Sequence, residues 1–143
     1  MIAVDTNLLV YALREDAVFH EQALDVLVRL AESGRRWAIP WPCAHEFLAI
    51  GTHPKIYRPS TPVEIACEAM RVWLSSPFCE TLSEGPGYWE KLQQLVRKAN
   101  VKGGMIHDAR IAAICIHHGV SELWTADRDF SRFPELKTRN PML

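Results

Sequence analysis

The chain has 143 residues, 48% of them hydrophobic and 23% charged, the balance of one folded domain over residues 1–143 and not of a disordered segment. Sixteen Lys and Arg against seventeen Asp and Glu leave a formal net charge of −1, which excludes a uniformly basic nucleic-acid-coating globule. The longest clean apolar runs, residues 8–13 and 111–116, fall far short of the ~20 residues of a membrane span, and no signal-peptide pattern follows Met1, so a cytoplasmic protein with no membrane association is expected.

Residues 2–4 are a short Ile-Ala-Val run that reads as a buried strand, and residues 7–14 are apolar on nearly every side, as a buried helix is. From 20 to 32, Ala23, Leu24, Leu27, Val28, Leu30 and Ala31 recur at helical spacing, and Gly34 supplies the stop. Residues 37–39 read as a second strand closed by Pro40, 43–51 as a helix, and 53–60 as a proline-punctuated loop. Thr61, Pro62 and Glu64 have the pattern of a helix start capped by Thr61, with the helix running to about residue 75. A third strand follows at 78–82, an amphipathic helix at 88–99, a helix at 105–118 closed by Gly119, and a fourth strand at 122–126. Phe130 and Phe133 then anchor an irregular tail. Strands alternating with helices predict an α/β fold around a mostly parallel sheet, with chemistry at the carboxyl ends of the strands. Cys43, Cys67, Cys79 and Cys115 stand far apart in apolar segments and read as reduced, buried small hydrophobes.

Four acids sit where their charge is badly matched to their surroundings. Asp5 ends the first strand and precedes an apolar helix; Glu46 shares a helix face with Cys43, Ala49 and Ile50; Asp108 shares one with Ile111, Ala112 and Cys115; Asp127 follows the last strand. Each has a structural reading of its own. Asp5 suits a helix cap, Glu46 partial solvation, Asp108 the favourable end of a helix dipole, and Asp127 a turn. Taken together they point elsewhere, because an ionised carboxylate in an apolar setting costs several kcal/mol unless it is paired or bound to a cation. A set of oxygen donors without His or Cys suits Mg²⁺, for which Mn²⁺ substitutes.

Competing motifs are incomplete. His45-Glu46 opens a zinc-protease pattern, but position 49 is Ala, so the second histidine is missing. Gly85-Pro86-Gly87 follows a strand, yet position 90 is Glu where a dinucleotide-binding turn needs a small residue.

Asp5-Thr6-Asn7 after an N-terminal strand, Glu46, His107-Asp108-Ala109 opening a late helix, and Thr125-Ala126-Asp127-Arg128-Asp129-Phe130 near the end occur in one order along the chain. Together with the Thr-His-Pro-Lys-Ile-Tyr stretch at 52–57, they resemble the PIN-domain ribonucleases and, within them, the VapC toxins of bacterial toxin–antitoxin pairs. The resemblance covers essentially the whole chain. It implies a three-layer α/β/α domain around a central, mostly parallel sheet of four or five strands. It also implies an Mg²⁺-dependent endoribonuclease whose metal-binding and catalytic acids match Asp5, Glu46, Asp108 and Asp127, a homodimer, and a cognate antitoxin that silences the enzyme by occupying its groove. Asn7 stands where many relatives have Ser, and its amide can still hydrogen-bond a carboxylate or a phosphate oxygen.

Around these acids, Thr6, Asn7, Thr125 and Asp129 are placed to support the ligands. Lys55, Tyr57, Arg58, Arg110 and Arg128, with Arg14 and Arg132, are candidates for an RNA-holding rim. That RNA and not DNA is the substrate comes from the resemblance alone. The alternative is a non-catalytic module that binds RNA or protein and uses the acids as an interface.

Overall fold

The computed structural model describes residues 1–143. Strand β1 (Ile2–Val4) lies at the centre of a five-stranded, all-parallel sheet in the order β3-β2-β1-β4-β5. The other strands are β2 (Trp37–Pro40), β3 (Cys79–Leu82), β4 (Glu122–Trp124) and β5 (Thr138–Arg139). Every residue of β2 is buried, as is the Ala3-Val4 half of β1. Both faces are therefore covered, which is why these segments read as continuous apolar runs without alternation.

Helices α1 (Thr6–Leu13) and α2 (His20–Glu32) connect β1 to β2; α3 (Trp41–Gly51) and α4 (Val63–Leu74) connect β2 to β3; α5 (Tyr88–Ala99) and α6 (Met105–His117) carry the chain back across the sheet to β4. The chain first builds outward from β1 through β2 to β3, then returns to place β4 on the other side of β1. The order reverses between β1 and β4, and a crevice opens at such a switch point beyond the carboxyl ends of the strands.

The helices follow the expected positions within one or two residues, with α2 and α5 at the limits read from the sequence. Gly34 and Gly119 stop α2 and α6 in left-handed conformation, at φ +70° and +69°. The middle of helix α6 is apolar on every side because it is enclosed: Ala109 and the run Ile111–Cys115 are buried. Phe47 of α3 meets Trp73 of α4 edge-on, with ring centroids 5.3 Å apart.

Three local expectations change. Helix α4 starts at Val63 after an extended Pro62, without a side-chain cap. The buried Thr61 instead accepts a hydrogen bond at Oγ1 from Arg14 Nη1 at 3.2 Å. Cys67 is exposed on α4 while Cys43 and Cys115 are buried; all four cysteines are free thiols. The tail is more regular than its pattern: a 3-10 turn, Arg128–Arg132, leads to β5, whose backbone binds Leu123 N and Thr125 N through the carbonyls of Lys137 and Arg139. Two polar residues present no period that would announce a strand.

Arg14 is the strut of the 53–60 loop. Its side chain is 11% exposed, donates to the carbonyl of Pro59 at 2.8 Å, pairs with both oxygens of Asp16, and lies 4.4 Å above the Tyr57 ring. Replacing Arg14 by Ala leaves the Pro59 carbonyl and the buried Thr61 hydroxyl unmet, at a cost of about 1–2 kcal/mol. For a chain of this length that lowers the melting temperature by on the order of 3–8 °C. Lys should recover less than half of the loss, since it has neither the fork nor the plane of a guanidinium. Thermal melts of the two variants check this, and an unchanged midpoint for Ala would show that the loop is held by other contacts.

Candidate active site

Asp5 follows β1 directly and forms the N-cap of α1. Its side chain is nearly buried, 4% exposed, and the surrounding elements supply its hydrogen bonds. Oδ1 accepts from Thr6 N at 2.8 Å and from the Cys43 thiol at 3.5 Å; Oδ2 accepts from Thr125 Oγ1 at 2.7 Å and from Asn7 Nδ2 at 3.2 Å. Burial pushes the Asp5 carboxyl above its ordinary pKa, the donors from Thr125, Thr6 and Cys43 pull it back, and the nearby Glu46 adds repulsion. The Cys43 thiol is itself driven well upward by burial, so it stays protonated and acts as a donor and not as a soft metal ligand.

The four sequence-identified acids surround one cavity of about 260 Å³, walled also by Val10, Tyr11, Ile50 and Tyr57. Three parts of the fold aim them there. Asp5 and Asp127 come from the carboxyl ends of the two strands that flank the switch point, Glu46 from the second turn of α3, and Asp108 from the first turn of α6. Glu46 is half-buried, but Ala49, assigned to the same inward face, is exposed. The helix turns its edge, not its centre, toward the cavity.

Thr6 Oγ1 donates to Glu46 Oε2 at 2.9 Å. Asn7 Oδ1 accepts from Ala126 N at 3.0 Å, while Thr125 Oγ1 accepts from Asp127 N at 2.9 Å. Thr6, Asn7 and Thr125 thus sit between the acids, each touching at least one carboxylate or the backbone beside it. Asp129 has a place beyond the supporting one expected of it. One of its carboxylate oxygens and one each from Asp108 and Asp127 lie within 4.8 Å of one another, and Asp127 Oδ1 accepts from Asp129 N at 2.9 Å. The 3-10 turn brings Asp129 back beside Asp127, and the Asp-x-Asp spacing is the only sequence signal of it.

Asp108 records the electrostatic consequence. Its pKa is raised to about 6 by burial first, then by repulsion from Asp127, Asp5, Glu46 and Asp129. The donors are all hard oxygens converging on a negative hollow, a set whose chemistry fits Mg²⁺ or Mn²⁺.

The rim departs from expectation at two arginines. Arg110 is held by Glu84, its Nε donating to Oε1, and is not free to meet a phosphate. Arg14 is committed to the loop strut. Lys55, Arg58, Arg128 and Arg132 are exposed and join none of the structure's ion pairs. Tyr57 lines the cavity, with one ring face covered by Arg14.

Comparison with known proteins follows the same lines. The model of the PIN domain matches residues 2–136. Ribonuclease VapC48 of Mycobacterium tuberculosis is 28% identical over 137 residues, covering 96% of this chain and 94% of that one. The VapC ribonuclease Mb2897 of Mycobacterium bovis is 31% identical over 142 residues, covering 99% and 96%. Among solved structures, VapBC2 from Rickettsia felis bound to a promoter DNA fragment superposes with a TM-score of 0.68 at 23% identity, over 97% of this chain and 98% of that one. VapBC-1 from nontypeable Haemophilus influenzae gives 0.69 at 16% identity over the whole of both chains.

The clustered charge predicts a measurable pH signature. A carboxyl whose folded pKa is raised contributes nothing to instability below its unfolded value of 3.8, and its penalty grows as pH rises from there to about 6. Asp108→Asn should therefore melt above wild type in EDTA at pH 7.5, by a smaller margin at pH 5, and by none near pH 4. Mn²⁺ at 100 times its dissociation constant adds about 2.7 kcal/mol to wild type, on the order of 5–10 °C, and less to the variant. A variant less stable than wild type in EDTA would make Asp108 a helix-capping acid instead.

Proposed function

Because this chain belongs to the PIN-domain family and, within it, to the VapC ribonucleases, we propose that it is the RNA-cleaving toxin of a toxin–antitoxin pair, dependent on Mg²⁺ or Mn²⁺. The observation that carries this reading is the convergence of Asp5, Glu46, Asp108 and Asp127 on one cavity, with Asp129 alongside. Acids gathered from both ends of the chain against their mutual repulsion need a cation to be of use, and a phosphodiester is the substrate that such a cation serves.

In this reading Asp5 and Asp108 would be the principal ligands of the metal, with Glu46 and Asp127 completing the acidic pocket directly or through water and Asp129 in reach. When bound, the divalent ion supplies charge neutralisation at the scissile phosphate and lowers the pKa of a coordinated water. The chain's own part is positional. Thr125 and Asn7 fix the plane of the Asp5 carboxylate, and Thr6 fixes Glu46. These contacts reduce the reorganisation needed as charge develops. The exposed Lys55 and Arg58, beside Tyr57, place cations and an aromatic ring at the mouth for the RNA strand.

An antitoxin partner is supported by the toxin–antitoxin complexes among the solved relatives, and a homodimer completes the reading. No helix here is long and apolar enough to cross a membrane.

Asp5→Asn and Asp108→Asn should each abolish metal-dependent RNA cleavage and the growth arrest that accompanies expression, with the far-ultraviolet circular dichroism of wild type retained. An amide in place of a carboxylate is a far weaker ligand for a hard cation. Undiminished cleavage by rigorously purified Asp108→Asn protein would sink the assignment of the site, whereas no metal-dependent cleavage by wild type would leave the non-catalytic binding module. Replacing Lys55, Tyr57 and Arg58 together by Ala should weaken RNA binding and flatten its salt dependence, while the Mn²⁺-induced rise in melting temperature stays as in wild type. Equal cleavage across salt concentrations would make the 53–60 loop a connector.

A further inference from the structure

A second cleft of about 770 Å³ runs along one face of the sheet, from Ile2 and Glu122 at the amino ends of β1 and β4 to Trp124 and Arg139, and its charge is of the other sign. It is lined by Arg29, Arg35, Arg36 and Arg139, with Glu122 its one acid and Ile2, Leu30 and Trp124 on the floor. Strand register accounts for the grouping. Ile2 pairs with Glu122 and Trp124 with Arg139, so Ile2, Glu122, Trp124 and Arg139 share one face of the sheet. The last turn of α2 carries Arg29 and Leu30 over that face, and the turn into β2 adds Arg35 and Arg36.

Two of the four guanidiniums are free. Arg35 and Arg139 are exposed and belong to none of the structure's ion pairs. The other two are held by exposed partners, Arg29 by Asp25 at 3.0 Å and Arg36 by both oxygens of Glu80. With Arg36 held at two points and Arg29 by one exposed acid, the net positive charge of the cleft rests on Arg35 and Arg139, with Glu122 its lining acid and Lys137 3.6 Å from that acid.

From this juxtaposition we infer that the Arg29–Arg35–Arg36–Arg139 cleft is a second binding site for the RNA substrate, gripping backbone phosphates away from the scissile bond. The inference rests on the nuclease reading and extends it. An RNA strand at the acidic cavity meets five carboxylates, Asp5, Glu46, Asp108, Asp127 and Asp129, while Arg14 and Arg110 are occupied within the fold. Lys55 and Arg58 remain free at the mouth, and the cleft adds Arg35 and Arg139 to the attraction that holds a polyanion. The cleft reaches Trp124 and Arg139, whose carbonyls accept from Asp5 N at 3.0 Å and Thr125 N at 2.9 Å, so it lies within reach of a strand that continues past the cleavage site. All four cations are arginine, whose planar fork pairs with phosphate at two points. The partly exposed indole of Trp124 on the floor offers a stacking surface.

The test compares wild type with Arg35→Gln/Arg139→Gln, which removes two charges that no other side chain uses. Binding is measured in EDTA, so that no cutting occurs, on a tetranucleotide and on a single strand of roughly 20 nucleotides, the longer being several nucleotides beyond a minimal binding site. Cleavage of both is then followed with Mn²⁺. For the long strand, the slope of log affinity against log salt should fall by about 1.4, two lost contacts at ~0.7 each. KM should rise on the order of tenfold at low salt with kcat unchanged, while the tetranucleotide is bound and cut as by wild type. An unchanged salt slope overturns the proposal, and so does equal weakening of long and short RNA. Polyglutamate is the competitor that separates a protein partner: if it binds wild type and not the variant while RNA binding is the same in both, the cleft receives an acidic protein surface and the RNA assignment falls. If wild type cuts no RNA with Mn²⁺, the nuclease reading fails by that result, and the EDTA binding arm still decides the cleft.

Discussion

Asp5 brings a carboxylate into the interior at the end of the central strand, and the neighbouring elements are arranged around the need to satisfy it. Thr125 from the end of β4, Asn7 and the Thr6 amide from α1, and the Cys43 thiol from α3 all donate to its two oxygens. An unmet carboxylate at this depth costs several kcal/mol, so register and helix placement at this corner of the fold are tightly coupled. The β1–β4 pairing is set by backbone bonds, with Asp5 N donating to Trp124 O at 3.0 Å, and that pairing is what carries Thr125 to the Asp5 side chain. Thr125 and Asn7 then pass the constraint on to the backbone of Asp127 and Ala126, and Thr6 passes it to Glu46.

This arrangement sets stability against function. Burial, and after it repulsion from the other four acids, raises the pKa of Asp108 to about 6, so near neutral pH the fold carries a cost at this corner. The apolar frame absorbs it. Thirty-one buried hydrophobic residues form one cluster through the sheet and the inner helix faces, and the strained corner occupies only one end of that frame. Proteins commonly carry destabilised sites on scaffolds that are stable elsewhere.

The basic residues complete the picture by being sorted. Some are structural: Arg14 ties α1 to the 53–60 loop and sets one wall of the cavity through Tyr57, and Arg110 is held by Glu84 beside α6. Others remain free, at the loop, on the 3-10 turn and in the cleft along the sheet. Net charge −1 thus averages over a negative hollow and positive flanks, and a polyanion meets these locally and not as a mean.

The local elements were legible because each is written in short-range chemistry. Helices α2 and α5 show their period, Gly34 and Gly119 mark left-handed stops, and the Ile-Ala-Val and Trp-Ala-Ile runs have the continuous apolarity of doubly covered strands. The four acids were legible one by one, since each stands where its neighbours are apolar. What tertiary structure alone decided depends on residues remote in sequence. Strand order brings Asp5 beside Thr125, 120 residues away. A two-residue β5 has no pattern of its own and exists through the carbonyls it offers to β4. Thr61 has the look of a cap, but an arginine 47 residues earlier takes its hydroxyl. Asp129 reads as a support for the ligands until the 3-10 turn folds it back beside Asp108 and Asp127. The four arginines of the second cleft, drawn from α2, the turn before β2 and the last strand, share no window of sequence at all. Residue type and local period report which groups are costly to leave alone; only the crossing of the chain over its own sheet determines which of them meet.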